Sequence, residues 1–199
     1  MRVQDKHWDK LMSVYKKDFP KVTFAYKSDK NLPFKATLVG WIFSFLGKFS
    51  KTLYEWYFLK SVTVIGDRVL FPPGHNWSAS PYDYKTFSVL VHELRHLYQR
   101  RDDRLWEMKY LFWPAPIFYT KRADYEFEAY SDTMWCDYTF NLGITRNVIR
   151  RHAEKFTDYR YAWMSGASEA ALIEVESKFE VVAEDIKTGR YQPVIRFDI

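Results

Sequence analysis

Residues 92–96 read His-Glu-Leu-Arg-His, and this pentapeptide constrains the fold more than any other part of the chain. Two imidazoles four residues apart share one face on an α-helix, where both can reach a single metal ion. Glu93 then lies about 100° round the helix from His92. From there it can take the proton of an activated water without being a ligand itself. The motif therefore asks for a helix that is packed on one side and open beside the histidines.

The flanking sequence supplies such a helix. Ser80-Pro81-Tyr82-Asp83 offers an N-cap serine, a proline at the first helical position and an acid three residues after the cap. From there to Arg101 the chain has neither Gly nor Pro. Phe87, Leu90, Val91, Leu94, Leu97 and Tyr98 recur at helical spacing and form a core-facing stripe. His92 and His96 border that stripe. Arg95 and Gln99 follow His92 on its own face, as partners for Glu126, Asp132 or substrate, or as plain surface residues.

A second run without Gly or Pro extends from roughly Tyr119 to Leu142 and is closed by Gly143. It contains Phe127-Glu128-Ala129-Tyr130-Ser131-Asp132. With the pentapeptide, this segment resembles the thermolysin-like gluzincin metallopeptidases, whose third-ligand helix carries N-E-A-I-S-D. Phe127 stands where that motif has Asn. The resemblance implies a catalytic Zn²⁺ held by His92, His96 and Glu128, with Asp132 hydrogen-bonded to His92 as carboxylates behind metal ligands commonly are. Glu126 is the rival ligand. Two residues apart on a helix means roughly opposite faces, so Glu126 and Glu128 cannot both join the set. Glu128 is preferred because only it has the aspartate one turn on.

The resemblance further implies peptide-bond hydrolysis. The metal activates a water and polarises the scissile carbonyl, and Glu93 acts as general base. Gluzincins also use a Tyr and a His outside these motifs to stabilise the oxyanion. Tyr130, His152, Tyr159 and Tyr161 are the candidates for that role or for substrate contact. His152 lies in Arg150-Arg151-His152-Ala153-Glu154, which reads as a solvated helical run. His7 and His75 read as surface or loop residues.

The rest of the chain is consistent with one domain over residues 1–199. Gln4 to Lys17 reads as an amphipathic helix with Trp8, Leu11, Met12 and Tyr15 on one face, and Val22 to Tyr26 as a strand. Residues 34–58 read as a very apolar helix, preferred as buried beneath the active-site layer over lying in a membrane interface through Trp41, Phe43, Phe45 and Phe49. Their longest apolar stretch, Ala36 to Leu46, is too short and interrupted to span a bilayer. Ser61 to Ile65 and Arg68 to Phe71 read as a hairpin turning at Gly66-Asp67. Residues 102–118 read as a short helix and a chain reversal. Thr145 caps a helix to about Phe156, and Ser165 or Ser168 opens another to about Lys187, ended by Gly189.

The expected fold is therefore α+β and mainly helical, a minimal zincin-like arrangement with a small antiparallel sheet packed on the H-E-x-x-H helix. Zincin-like proteins use such an edge strand to bind extended substrate by adding it to the sheet. The order of elements resembles compact minimal zincins, including small H-E-x-x-H proteins encoded by large bacteriophages. The lone Cys136 excludes a disulfide within the chain and a cysteine-based zinc site, and reads as a small buried residue. The net charge of +5 comes from scattered basic residues with no nucleic-acid motif, so there is no strong nucleic-acid signal, and the partner that the resemblance implies is a polypeptide substrate. The start of the chain shows no apolar signal-peptide core; the location stays unassigned, with the cytoplasm of the producing cell or a virion as the expectation. The second reading is a zincin fold serving as a structural or binding component of a larger, possibly virion, assembly, with little or no activity. Retention of Glu93 weighs against it, because a purely structural zinc site has no use for that carboxylate.

Overall fold

The computed structural model describes residues 3–27, 62–73, 83–106, 109, 116–140, 143–158 and 168–197. The fold is α+β and mainly helical. The described residues hold five helices and a three-stranded sheet. The helices are α1 (Asp5–Asp18), α2 (Tyr84–Asp102), α3 (Pro116–Thr139), α4 (Arg146–Thr157) and α5 (Glu169–Lys187). The strands are β1 (Thr23–Tyr26), β2 (Thr63–Ile65) and β3 (Arg68–Phe71).

β2 and β3 form the expected hairpin, with Val64 opposite Val69 and Gly66 at φ 56° in the turn. A positive φ at that position favours glycine. The sheet is mixed rather than antiparallel. β3 is central, and β1 pairs with it in parallel, Thr23 opposite Arg68 and Tyr26 opposite Phe71. A parallel neighbour needs a long crossover, and residues 27–62 supply the length for one. The apolar helix expected over 34–58 lies outside the described residues, as do Ser80, Pro81 and His75.

The H-E-x-x-H segment is helical throughout, within α2. Its cap is Asp83 rather than Ser80: the Asp83 carboxylate accepts from Thr86 N at 3.1 Å. Leu90, Val91, Leu94 and Leu97 are all at most 2% exposed. Burying side chains of this size contributes about 1.5–3 kcal/mol each. They pack with Trp8, Leu11, Tyr15, Val64, Val69 and Phe71 into one core that joins α1, the sheet and α2. Tyr15 fastens α1 to α2 by donating to Leu90 O at 2.7 Å.

A second core lies between α3, α4 and α5. Tyr130 and Met134 meet Ile149, Ala153 and Phe156 of α4 and Leu172, Val175 and Phe179 of α5. Thr145 and Ser168 cap α4 and α5 as read from the sequence, and Gly189 at φ 74° follows α5. Cys136 is buried in the first core. His7, read as a surface or loop residue, is buried, with its ring edge-on to Phe140 at 5.2 Å and to Phe197 at 5.6 Å. α2 and α3 run side by side where the two cores meet. The candidate site sits in that seam.

Candidate metal centre

α2 brings His92 and His96 onto one face, with ring centroids 4.8 Å apart. Their Nε2 atoms are 3.1 Å from each other. The carboxylate opposite them belongs to Glu126 of α3. Its Oε2 lies 3.4 Å from His92 Nε2, and its Oε1 lies 3.7 Å from His96 Nε2. These residues offer one donor atom each within 4.8 Å of one another, the sole such group of His, Cys, Asp and Glu side chains among the described residues.

The expectation that Glu128 completes the set is not what the geometry gives. Glu128 is exposed, and its Oε2 accepts from Gln99 Nε2 at 2.9 Å. Glu126 is 4% exposed. The reason is the helical phase of α3. Glu126, Tyr130 and Met134 recur every four residues on the side facing the cores, and Glu128 falls roughly half a turn away. Asp132 does not reach His92 either. It is fully buried and receives Arg95 Nε at 2.6 Å, Arg95 Nη2 at 3.2 Å, Tyr191 Oη at 3.0 Å and Val194 N at 3.0 Å. It is a fastening between α2, α3 and the C-terminal segment. Burial raises its pKa more than Arg95 lowers it.

Glu128 still acts on the site, through Gln99. The Gln99 Nε2 group has two acceptors, Tyr125 O at 3.0 Å and Glu128 Oε2. That fixes the amide, so Gln99 Oε1 is what faces His96 Nδ1 at 2.8 Å. Nδ1 must therefore carry the hydrogen, and the lone pair of His96 sits on Nε2, toward His92 and Glu126. Such partners fix the tautomer of metal-binding histidines in general.

Burial sets the electrostatics. It pulls the His96 pKa down to about 4, which keeps the ring neutral and able to ligate. Burial also pushes Glu126 up, but His92, His96 and Arg122 outweigh it and hold the carboxylate well below its usual range. Glu93 is 5% exposed, and burial raises its pKa to about 7, against the pull of His92 and Lys27. Its carboxylate accepts from the backbone N–H of Val64. The β2 edge therefore touches the H-E-x-x-H helix at the residue expected to act as base.

Lys27 had no signal in the sequence. It is 1% exposed and donates from Nζ to Thr63 Oγ1 at 2.9 Å. Burial lowers its pKa to about 7, opposed by the Glu93 charge. Trp106, also buried, closes one side of His96 with ring centroids 5.8 Å apart.

Of the candidates for oxyanion or substrate contact, Tyr130 is brought to the site, its ring 4.5 Å from that of His92. His152 is not. It is buried rather than solvated and lies behind Tyr130, with ring centroids 5.6 Å apart. Its Nε2 is 3.6 Å from Asp137 Oδ2, an electrostatic contact longer than a hydrogen bond. Tyr159 and Tyr161 lie outside the described residues. Glu126 was visible in the sequence as a rival, and its signal was its place in the Tyr130-Met134 stripe. An acid inside an otherwise buried stripe needs a cationic or metal partner.

Searches against protein-family models, curated proteins and solved structures find no match to this chain. The site must therefore be judged on its own chemistry. Two imidazole nitrogens and a carboxylate oxygen are a donor set that zinc takes readily. Donors about 2.0–2.2 Å from a tetrahedral zinc are separated by roughly 3.3–3.6 Å. The two nitrogens are 3.1 Å apart, each has a different Glu126 oxygen at 3.4 or 3.7 Å, and one donor atom from each residue lies within 4.8 Å of the others, close to that spacing. The three residues could hold a metal ion, and their donor types are ones zinc takes.

Proposed function

We propose that this protein is a zinc-dependent peptidase whose metal is held by His92, His96 and Glu126. The observation that carries the reading is the convergence of those three side chains in the seam between α2 and α3, with Glu93 beside them. The set is still two histidines and a glutamate, as the gluzincin resemblance implies, with the glutamate two residues earlier in the chain. Zinc held there would supply a Lewis acid that polarises the scissile carbonyl.

The other work falls to the chain. Glu93 is buried and poised near neutral pH, which suits a general base that takes a proton from the attacking water and returns it to the leaving amine. Val64 N–H and the charge of Lys27 hold its carboxylate against the sheet edge. Gln99 keeps His96 in the tautomer that can ligate. Tyr130 and Trp106 pack against the two imidazoles and exclude water from their flanks.

The test pairs metal content with proteolysis of an unspecific casein-like substrate, in the wild type and Glu93→Gln. The expected result is stoichiometric zinc in both and cleavage by the wild type alone. Zinc-free wild-type protein sinks the metal reading. Zinc with identical behaviour of the two proteins leaves a structural metal site in a non-catalytic fold.

A further inference from the structure

Lys155, in the last turn of α4, makes no ion pair with a carboxylate among the described residues. Its ammonium instead lies over the Tyr130 ring, 4.0 Å from the centroid. The same ring also meets His92, at 4.5 Å between centroids. These two contacts in series bound the distance from the ammonium to the His92 ring centre at roughly 8.5 Å. The charge therefore lies within about 8.5 Å of His92 and has no carboxylate paired to it among the described residues. The residue as a whole is partly exposed, although the ammonium itself is largely desolvated.

Holding a cation there is costly. Burial lowers its pKa to about 8, with Glu126 and Asp137 opposing the shift and Arg151 adding to it. The group still carries its charge at neutral pH. An aromatic face stabilises a cation but leaves its hydrogen-bond donors unused. A lysine serving packing alone would extend its ammonium to solvent from the end of a helix, as long side chains readily do.

We propose that Lys155 anchors a substrate carboxylate, so that the site acts on peptides with a free carboxylate one or two residues beyond the scissile bond. This rests on the metal reading above. The reach is right. Each residue of extended chain advances about 3.3–3.6 Å, and a charge-assisted hydrogen bond adds about 2.8 Å. With at most about 8.5 Å to cover, a carbonyl beside His92 and a carboxylate on Lys155 are therefore no more than one or two residues apart. The carboxylate can be the chain terminus or an acidic side chain, and both present the same anion to the ammonium.

The test is binding to the cobalt-substituted protein, whose thiolate-to-metal absorption reports occupancy without turnover. The probes are a mercaptoacyl dipeptide with a free terminal carboxylate, its terminal amide, and the amide with a glutamate in the last position. The wild type should bind the free acid at least tenfold more tightly than the plain amide. Lys155→Met should bind both as weakly as the wild type binds the amide, and Lys155→Arg should keep part of the preference. A tenfold gain for the glutamate amide as well assigns the anchor to acidic side chains; no gain assigns it to the chain terminus. Equal affinities for acid and amides in the wild type, or equal losses for all probes in Lys155→Met, overturn the anchor while leaving the metal centre standing. Absence of a cobalt spectrum removes the metal reading, and the anchor with it.

Discussion

Replacing Glu126 and Glu128 one at a time separates the ligand from its near neighbour. Metal at one hundred times its Kd stabilises a folded chain by about 2.7 kcal/mol. For a chain of this length, 1 kcal/mol corresponds to roughly 2–4 °C in Tm. The wild type should therefore melt roughly 5–11 °C higher with zinc at that concentration than without. Glu126→Ala removes one of the three donors that converge in the site. Even a hundredfold loss of affinity, the upper end for residues behind the ligands, would leave about 0.4 kcal/mol, or roughly 1–2 °C.

Glu128→Ala acts at one remove. Gln99 loses one acceptor but keeps the carbonyl of Tyr125, so His96 stays oriented. A tenfold loss would leave about 1.4 kcal/mol, or roughly 3–6 °C of the zinc-dependent rise. The assay is thermal unfolding with and without zinc at one fixed concentration, backed by metal analysis of the dialysed proteins. A full zinc response in Glu126→Ala, or its loss in Glu128→Ala alone, would refute the ligand assignment and restore the set that the motif match implies.

Three further outcomes follow from the geometry. Arg95→Ala strands the buried Asp132 carboxylate and should cost about 3–5 kcal/mol in urea unfolding, with earlier tryptic cleavage after Arg190 and Arg196; unchanged stability would show that Tyr191 and Val194 suffice. His152 is held near pKa 4 by burial, so between about pH 6.5 and 4 the unfolded chain binds more protons there. Stability contributed at that position is present above pH 6.5 and falls with pH, so the metal-free wild type should lose stability relative to His152→Gln across that window, by up to the order of 3 kcal/mol, and parallel curves would contradict it. Asp83→Ala removes the α2 cap and should cost about 1 kcal/mol by thermal or chemical unfolding, against no change if Ser80 is the working cap.

Much of the local structure was legible because it depends on neighbours in sequence. The stripe from Phe87 to Leu97, the Thr145 and Ser168 caps and the Gly66-Asp67 turn are short-range patterns, and each gives the element it suggests. His92 and His96 belong with them, since one helix fixes their spacing. The third donor depends on how α3 is rotated against α2, which no local pattern encodes. Matching Glu-Ala-x-Ser-Asp to a motif chose Glu128, whereas the buried period through Glu126, Tyr130 and Met134 sets the rotation. The same lack hid Lys27, which faces Glu93 only because β1 pairs in parallel with β3. His152 misled because flanking arginines suggested water, while its own side of α4 packs onto Tyr130 and Phe179.

The two cores of this molecule carry different partners of the same centre. The histidines ride on the helix that completes the first core, and the glutamate rides on the helix shared with the second. A metal ion held between them would act as a clasp, tying the opening of one half to the opening of the other. Metal occupancy would then govern cooperativity as well as chemistry: the filled protein would unfold as one unit, and the emptied one could let its halves breathe separately.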